Sequence, residues 1–320
     1  MLDDVTLFHR HPNGPILTPA DWPYPVNTVF NPAATRYQGE TLLLVRVEDR
    51  RGISHLTAAR SPDGRTGWRI DPKPLVVPDP DDPTTCWGVE DPRVTRIDEL
   101  DAWGIAYTAY GPAGPAVALA VTTDFREIEP YGVVLPPEDK NASLLPRRID
   151  GEFVLFHRPV SAMSGQADVW LSRSADLRSW SAPEPVMRAR PGPWWDAVRI
   201  GFGPPPIETD RGWVVIYHGV KLSANSSIYR AGLALLDTDR PARVLRRGPT
   251  WVLGPSTDYE LAGDVPNVVF PTGMVHDPET DDLRVYYGAA DTCVGLATAK
   301  LAEVVDYLWS LPPEPDNRAQ

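Results

Sequence analysis

Trp87-Gly88-Val89-Glu90-Asp91-Pro92-Arg93 sets two adjacent carboxylates between an apolar lead-in and a proline, with an arginine two residues beyond the second acid. Val94 and Ile97 then open a strand pattern, so the acids fall at a strand entrance. Proline suits the first position of a strand, where no ladder N–H is required. It also biases Asp91 toward extended backbone. A single acid pair of this kind usually caps a turn or faces solvent. Its recurrence along the chain decides the fold.

Five X-Pro junctions of the same kind occur: Asn31-Pro32, Asp91-Pro92, Leu145-Pro146, Gly203-Pro204 and Phe270-Pro271, spaced about 54 to 67 residues apart. Each is followed by a polar turn and a strongly apolar second strand, at Leu42–Val47, Trp103–Tyr110, Phe153–Arg158, Trp213–Gly219 and Leu283–Gly288. A third strand of small residues comes next. Hairpin-linked strands at this period are the pattern of a β-propeller blade. The expectation is an all-β chain, a five-bladed β-propeller forming a single domain over residues 1–320. Strand alternation is imperfect because blade faces pack on both sides and call for near-continuous apolar runs. A sandwich with accidental spacing is the competing architecture. Only the stretch 301–311, with Leu301, Val304, Val305 and Leu308 at helical spacing, reads as a helix, packed on the last blade. Residues 1–26 read as a proline-rich N-terminal arm that helps close the ring.

The totals narrow the function. The 36 prolines and 24 glycines punctuate short apolar runs throughout. No run approaches the roughly 18 apolar residues of a membrane span, and Met1-Leu2-Asp3-Asp4 lacks a basic signal start. Cys86 and Cys293 are far apart and not in metal-binding spacing, which points to a cytoplasmic protein with reduced thiols and no metal. A formal charge of −12 argues against nucleic acid as partner. An anionic ligand would therefore need a local basic pocket.

In a propeller the entrances of the innermost strands ring a central cavity. Asn31, Asp91, the 141–148 segment, Gly203 and the 264–270 segment are then expected to converge. The acidic and amide groups are Asn31, Glu90, Asp91 and Asp264; the basic ones are Arg46, Arg93, Arg147, Arg148, Arg158, His218 and Arg230. Such a division suits a neutral polyol beside an anion, because arginine forks match phosphate oxygens. Trp87, Tyr107 and Tyr110 are aromatics placed to stack on a sugar face.

The motifs Gly88-Val89-Glu90-Asp91-Pro92-Arg93, His157-Arg158-Pro159, Tyr217-His218-Gly219, Gly263-Asp264-Val265-Pro266-Asn267 and Tyr286-Tyr287-Gly288-Ala289-Ala290-Asp291 occur together and in order. In this the chain resembles the β-mannoside phosphorylases of glycoside hydrolase family 130, from about Asn31 to the terminal helix. The resemblance implies a five-bladed propeller and inverting phosphorolysis of a β-mannoside to α-mannose 1-phosphate, with Asp91 as general acid. It implies Asn31, Arg46 and Asp264 around the mannose; Glu90 and Tyr110, from the residues themselves, are expected on the same sugar side. Arg148, Arg158, His218 and Tyr229 match positions associated with phosphate. Family members usually read Phe-Pro-Glu-Lys where this chain has Leu145-Pro146-Arg147-Arg148, so either Arg147 or Arg148 is the one that faces the anion.

A phosphorylase needs one acid and a cationic cradle, whereas an inverting hydrolase needs a second carboxylate to activate water. The acid must hold a proton near neutral pH, so its pKa is expected to be raised by burial or by Glu90. The family resemblance implies that this proton passes through a sugar hydroxyl. Inorganic phosphate is the co-substrate and no cofactor is expected. The alternatives are a hydrolase on the same fold, using Glu48 or Asp49, and a non-catalytic sugar-binding propeller. The linkage (β-1,2 or β-1,4) and a homo-oligomer contacting through the N-terminal arm stay open.

Overall fold

The computed structural model describes residues 6–160, 167–224 and 226–315. Asn225 and the first five residues of the arm lie outside them. Among the described residues the chain is nearly all β, with two α-helices at Asp258–Leu261 and Leu301–Ser310. The second of these is the helix expected near the end of the chain. It buries Leu301, Val304, Val305 and Leu308, one stripe at helical spacing.

The five repeats correspond to five antiparallel meanders. The first runs Thr28–Tyr37, Glu40–Glu48, Ser54–Ser61 and Arg69–Ile70; the second Gly88–Ile97, Ala102–Gly111, Gly114–Thr122 and Glu129–Leu135. The third is Asp139–Leu144, Phe153–Pro159, Val169–Ser174 and Glu184–Met187. The fourth is Arg199–Phe202, Gly212–Leu222, Ser227–Leu236 and Val244–Arg247, with Ile207–Thr209 added beside its second strand. The fifth is Val269–Asp277, Asp282–Ala289 and Cys293–Lys300, and its outer strand, His9–Arg10, comes from the other end of the chain. The first two meanders join into one sheet through a single parallel pair, Ser54 with Gly88. The His9–Arg10 part of the arm is thus paired within its own chain, with Leu7 and Phe8 buried beside it.

Each meander shares a hydrophobic core with the next, and the fifth shares one with the first. Successive residues of the second strands serve both neighbours. Leu42 and Leu44 pack toward the second meander, while Leu43 and Val45 pack toward the fifth. That two-sided burial is why these strands read as unbroken apolar runs rather than alternating ones. The first strands gather at the centre: Thr28–Tyr37 touches Gly88–Ile97 and Val269–Asp277, and Asp139–Leu144 touches Gly88–Ile97 and Arg199–Phe202.

Two local expectations need correction. Asp91 lies inside the strand Gly88–Ile97 rather than at its entrance, and it is left-handed (φ 48°), not extended. Asn31 (φ 46°) and Asn141 (φ 58°) share this conformation. All three occupy β-bulges, where pairing shifts between Phe30 and Ala33, Glu90 and Arg93, and Lys140 and Ser143. A bulge leaves residues unpaired and re-aims a side chain, and it also accommodates a proline that lacks an N–H. Asn and Asp are the non-glycine residues best suited to left-handed backbone.

Candidate active site

A cavity of about 240 Å³ opens where the five inner strands meet, and every meander contributes to it. The three bulges deliver Asn31, Asp91 and Asn141. Arg46 and Arg158 stand opposite the residues preceding two of those bulges, Phe30 and Lys140. The fourth meander adds Arg199, His218 and Tyr229, and the fifth adds Phe270 and Asp291.

One wall is acidic. Asp91, 8% exposed, accepts on a single oxygen, Oδ1, from Asn31 Nδ2 at 2.8 Å and from Arg46 Nη1 at 3.0 Å. Arg46 also binds Glu90 Oε1 at 3.1 Å and Ser54 Oγ at 2.9 Å, and approaches Glu48 at 3.5 Å. Burial alone would raise the pKa of Asp91. The charges of Arg46, Arg93 and Lys140, with the Asn31 hydrogen bond, outweigh it and lower the pKa. This corrects the expectation of an acid raised by burial or by Glu90, whose carboxylate is paired with Arg46. The raised carboxyl is Asp291: burial pushes it up to about 7, against the pull of Arg46 and reinforced by Asp91, Glu48 and Glu90.

The facing wall is cationic and short of partners. Arg158 Nε, Arg199 Nε, His218 Nδ1 and Asn141 Oδ1 are buried with no hydrogen-bond partner among the described residues. Burial, with Arg199 nearby, lowers Arg158 to about 10, so it remains a cation at neutral pH. His218 is a different case: burial and the surrounding Arg158, Arg93, Arg199 and Lys140 hold its pKa well below the usual value. It is a neutral donor rather than part of the charge, stacked on Tyr229 at 6.1 Å and tilted against Phe270 at 4.6 Å. The strand bearing Arg158 is fastened behind the cavity by Asp139, which accepts from the Arg158 N–H at 3.0 Å and bonds His157 Nδ1 at 2.6 Å. Arginine forks, an ammonium and neutral donors, with no carboxylate ion pair among the described residues, are groups suited to a tetrahedral oxyanion.

Of the residues expected at the site, Asn31, Arg46, Asp91, Arg158, His218 and Tyr229 line the cavity. Glu90 reaches it through Arg46. Tyr110 packs edge-on against Trp87 at 5.4 Å, beside the lining rather than in it. Asp264 is exposed and accepts from Asn27 at 2.9 Å, while Val265 and Val268 of its loop line the cavity. Arg148 and Arg147 are both elsewhere. Arg148 bonds Glu99 at 2.8 Å and covers Phe153, and Arg147 pairs with Glu208 over Trp213. The reason is phase. Proline marks the bulge in the first two repeats, but the third has Ala142 there, so counting from Pro146 lands past the end of the inner strand. The corresponding residues are Lys140 and Asn141. Arg199 was missed for the same reason, since Gly203-Pro204 follows its inner strand. Asp291 carried no sequence signal beyond its place in a motif. The acids proposed for water activation are engaged elsewhere: Asp49 caps its own turn and pairs with Arg51 at 2.7 Å, and Glu48 leans on Arg46.

The family model described as beta-1,4-mannooligosaccharide phosphorylase matches residues 9–310. A beta-1,4-mannooligosaccharide phosphorylase of Ruminococcus albus is 36% identical over 94% of this chain and 90% of its own length. A beta-1,2-mannobiose phosphorylase of Listeria innocua is 32% identical over 94% of this chain and 98% of its own. A solved structure of the Listeria innocua beta-1,2-mannobiose phosphorylase with beta-1,2-mannobiose superposes with a TM-score of 0.86 at 30% identity, covering 94% of this chain and 99% of that one.

Proposed function

The chain belongs to glycoside hydrolase family 130, and from that premise we propose that it cleaves a β-mannoside, a mannobiose or short β-1,2- or β-1,4-mannooligosaccharide, by inverting phosphorolysis to α-mannose 1-phosphate. The observation that carries this reading is the opposition, across a single cavity, of one hydrogen-bonded acid, Asp91, to Lys140, Arg158 and Arg199, none of which forms an ion pair with a carboxylate among the described residues, with the Nε atoms of both arginines unbonded there. A phosphate oxygen, held by those cations and by Asn141, His218 and Tyr229, attacks the anomeric carbon. The bond to the leaving oxygen breaks, and that oxygen takes the proton of Asp91, by way of a sugar hydroxyl as the family resemblance implies. No base is required, because phosphate is already anionic.

The lowered pKa of Asp91 belongs in this scheme. The charges that favour its ionised form include Lys140 of the phosphate wall. A phosphate dianion bound there offsets that charge and raises the proton affinity of Asp91 when the acid is needed. Two donors already occupy Oδ1, so the proton resides on Oδ2.

We further infer that the five meanders are the blades of a five-bladed propeller around this cavity, which their cyclic sequence of shared cores supports. A cytoplasmic setting with reduced Cys86 and Cys293 fits a reaction consuming inorganic phosphate. Hydrolysis would instead require Asp291, the other carboxyl lining the cavity among the described residues, to activate water. The test is to incubate each mannobiose with and without phosphate and follow products by phosphorus NMR. α-Mannose 1-phosphate formed only with phosphate is expected. Free mannose at an equal rate without phosphate would refute phosphorolysis.

A further inference from the structure

Arg93 is the buried charge that this mechanism leaves unused. It is completely inaccessible (0% exposed), and it makes no bond to a carboxylate among the described residues. Its acceptors are carbonyls. Nη1 donates to the carbonyls of Asp91 at 2.9 Å and Pro92 at 3.1 Å, and Nε donates to that of Gly203, on the fourth meander, at 2.6 Å. Nη2 has no partner, and the Phe270 ring lies 5.6 Å from Cζ. A buried guanidinium without an acid is costly and is retained only where its field or its fork is used.

Both uses meet at Asp91. Left-handed backbone before a proline is disfavoured and persists only where its surroundings over-determine it. Arg93 Nη1 holds both carbonyls of that bulge, and Nε ties it to Gly203 on the fourth meander. Gly203 is closely packed against backbone: a Cβ there would lie 2.6 Å from the Pro271 carbonyl oxygen.

We propose that Arg93 is a positioning residue for the acid: acting through the Asp91–Pro92 carbonyls it fixes the aim of Asp91, and it lays a permanent positive charge beneath the reaction site. The proposal rests on the reading of Asp91 as general acid. The groups that set the behaviour of Asp91 come from all sides: Asn31 and Arg46 from the first meander, Glu90 and Arg93 from the second, Lys140 and Arg158 from the third, neutral His218 from the fourth and Asp291 from the fifth. Arg93 is among the charges that favour the ionised carboxylate. Burial brings it down to about 10, so its charge is in place throughout the neutral range.

The test compares Arg93→Met, which removes fork and charge, with Arg93→Lys, which keeps the charge but not the three-carbonyl grip. Phosphorolysis of the cleaved mannobiose is measured at saturating phosphate across pH, with melting temperature as the check on folding. For Arg93→Met, kcat falls roughly 10²-fold, the loss associated with a misplaced group, while KM for mannobiose and phosphate changes little. The alkaline limb of kcat also moves to higher pH, because removing a cation raises the pKa of the acid. For Arg93→Lys the limb stays in place and kcat falls about tenfold, part of that positioning loss. Wild-type kcat in either folded variant overturns the proposal, as does a loss in Arg93→Met with an unmoved limb, which would make Arg93 a packing residue only. If Arg93→Met does not fold, Arg93→Lys decides alone on its kcat. Asp91→Asn is assayed in parallel. An active Asp91→Asn sinks the underlying reading whatever Arg93 does, and an inactive one beside a normal Arg93→Met sinks only this inference.

Discussion

Asn31 and Asp91 are joined by a 2.8 Å hydrogen bond between residues that occupy the same bulge position in adjoining meanders, both left-handed and both followed by proline. The repeat thus supplies the acid with its own paralogue as a partner. Asn31 and Arg46 both donate to Oδ1, leaving Oδ2 without a hydrogen bond among the described residues.

Asn31→Ala should lower kcat about tenfold, since a hydrogen bond to a charged group is worth about 1.5–3 kcal/mol. Asn31→Asp should be worse, because it sets a second carboxylate against Asp91. Steady-state kinetics with saturating phosphate would check both, and an undiminished kcat in Asn31→Ala would show that the contact does not orient the acid.

Gly288 reaches the same contact from behind. A Cβ on it would sit 1.8 Å from Asn31 Oδ1. Gly288→Ala should therefore reproduce the kinetic loss of Asn31→Ala with some drop in melting temperature, although it touches no substrate. A variant with unchanged kcat would mean that Asn31 can shift without consequence.

The phosphate wall predicts a contrast. Lys140→Ala and Arg199→Met should each raise KM for phosphate by about tenfold or more, as expected for loss of a charge-assisted hydrogen bond. Arg148→Ala, at a partly exposed pair with Glu99, should leave that KM within about twofold, because such pairs contribute little. Phosphate titrations at fixed mannobiose decide between the two placements.

Asp291 makes a pH-dependent contribution to stability. Its pKa rises from 3.8 to about 7 on folding. Between those values the folded chain holds the proton more tightly, so the stability gained in acid is lost as pH rises toward 7. Asp291→Asn should melt a few degrees higher than wild type at pH 8, with the difference closing near pH 4. A constant difference across that range would show that Asp291 does not titrate on folding.

His218 works in the opposite sense. Its folded pKa lies well below 6.5, so its contribution is present above that value and lost as acidification protonates the unfolded chain first. His218→Gln should flatten the fall in melting temperature between pH 7 and 5 relative to wild type. Equal slopes would mean that the imidazole takes up its proton in the folded state.

Much of this was legible in the chain. Runs such as Leu42–Val47 announce strands buried on both faces, and the fivefold recurrence of strand and turn announces five meanders. Asn31 and Asp91 share one step of that repeat on first strands, and Arg46, Arg158 and His218 lie on second strands, whereas Tyr229, on a third strand, was reached only through the family resemblance. The placement failed at Arg148, where proline no longer marks the bulge, while Asp264 lies on the exposed part of a loop whose Val265 and Val268 line the cavity. Periodicity is a local property that survives in one dimension, so the sequence by itself determined the strands and their order. Only the tertiary structure decided that Lys140, Arg199 and Asp291 join the site and that Asp91 is lowered rather than raised. Those outcomes are sums of fields and contacts over side chains from separate meanders, and such sums depend on distance through space rather than along the chain.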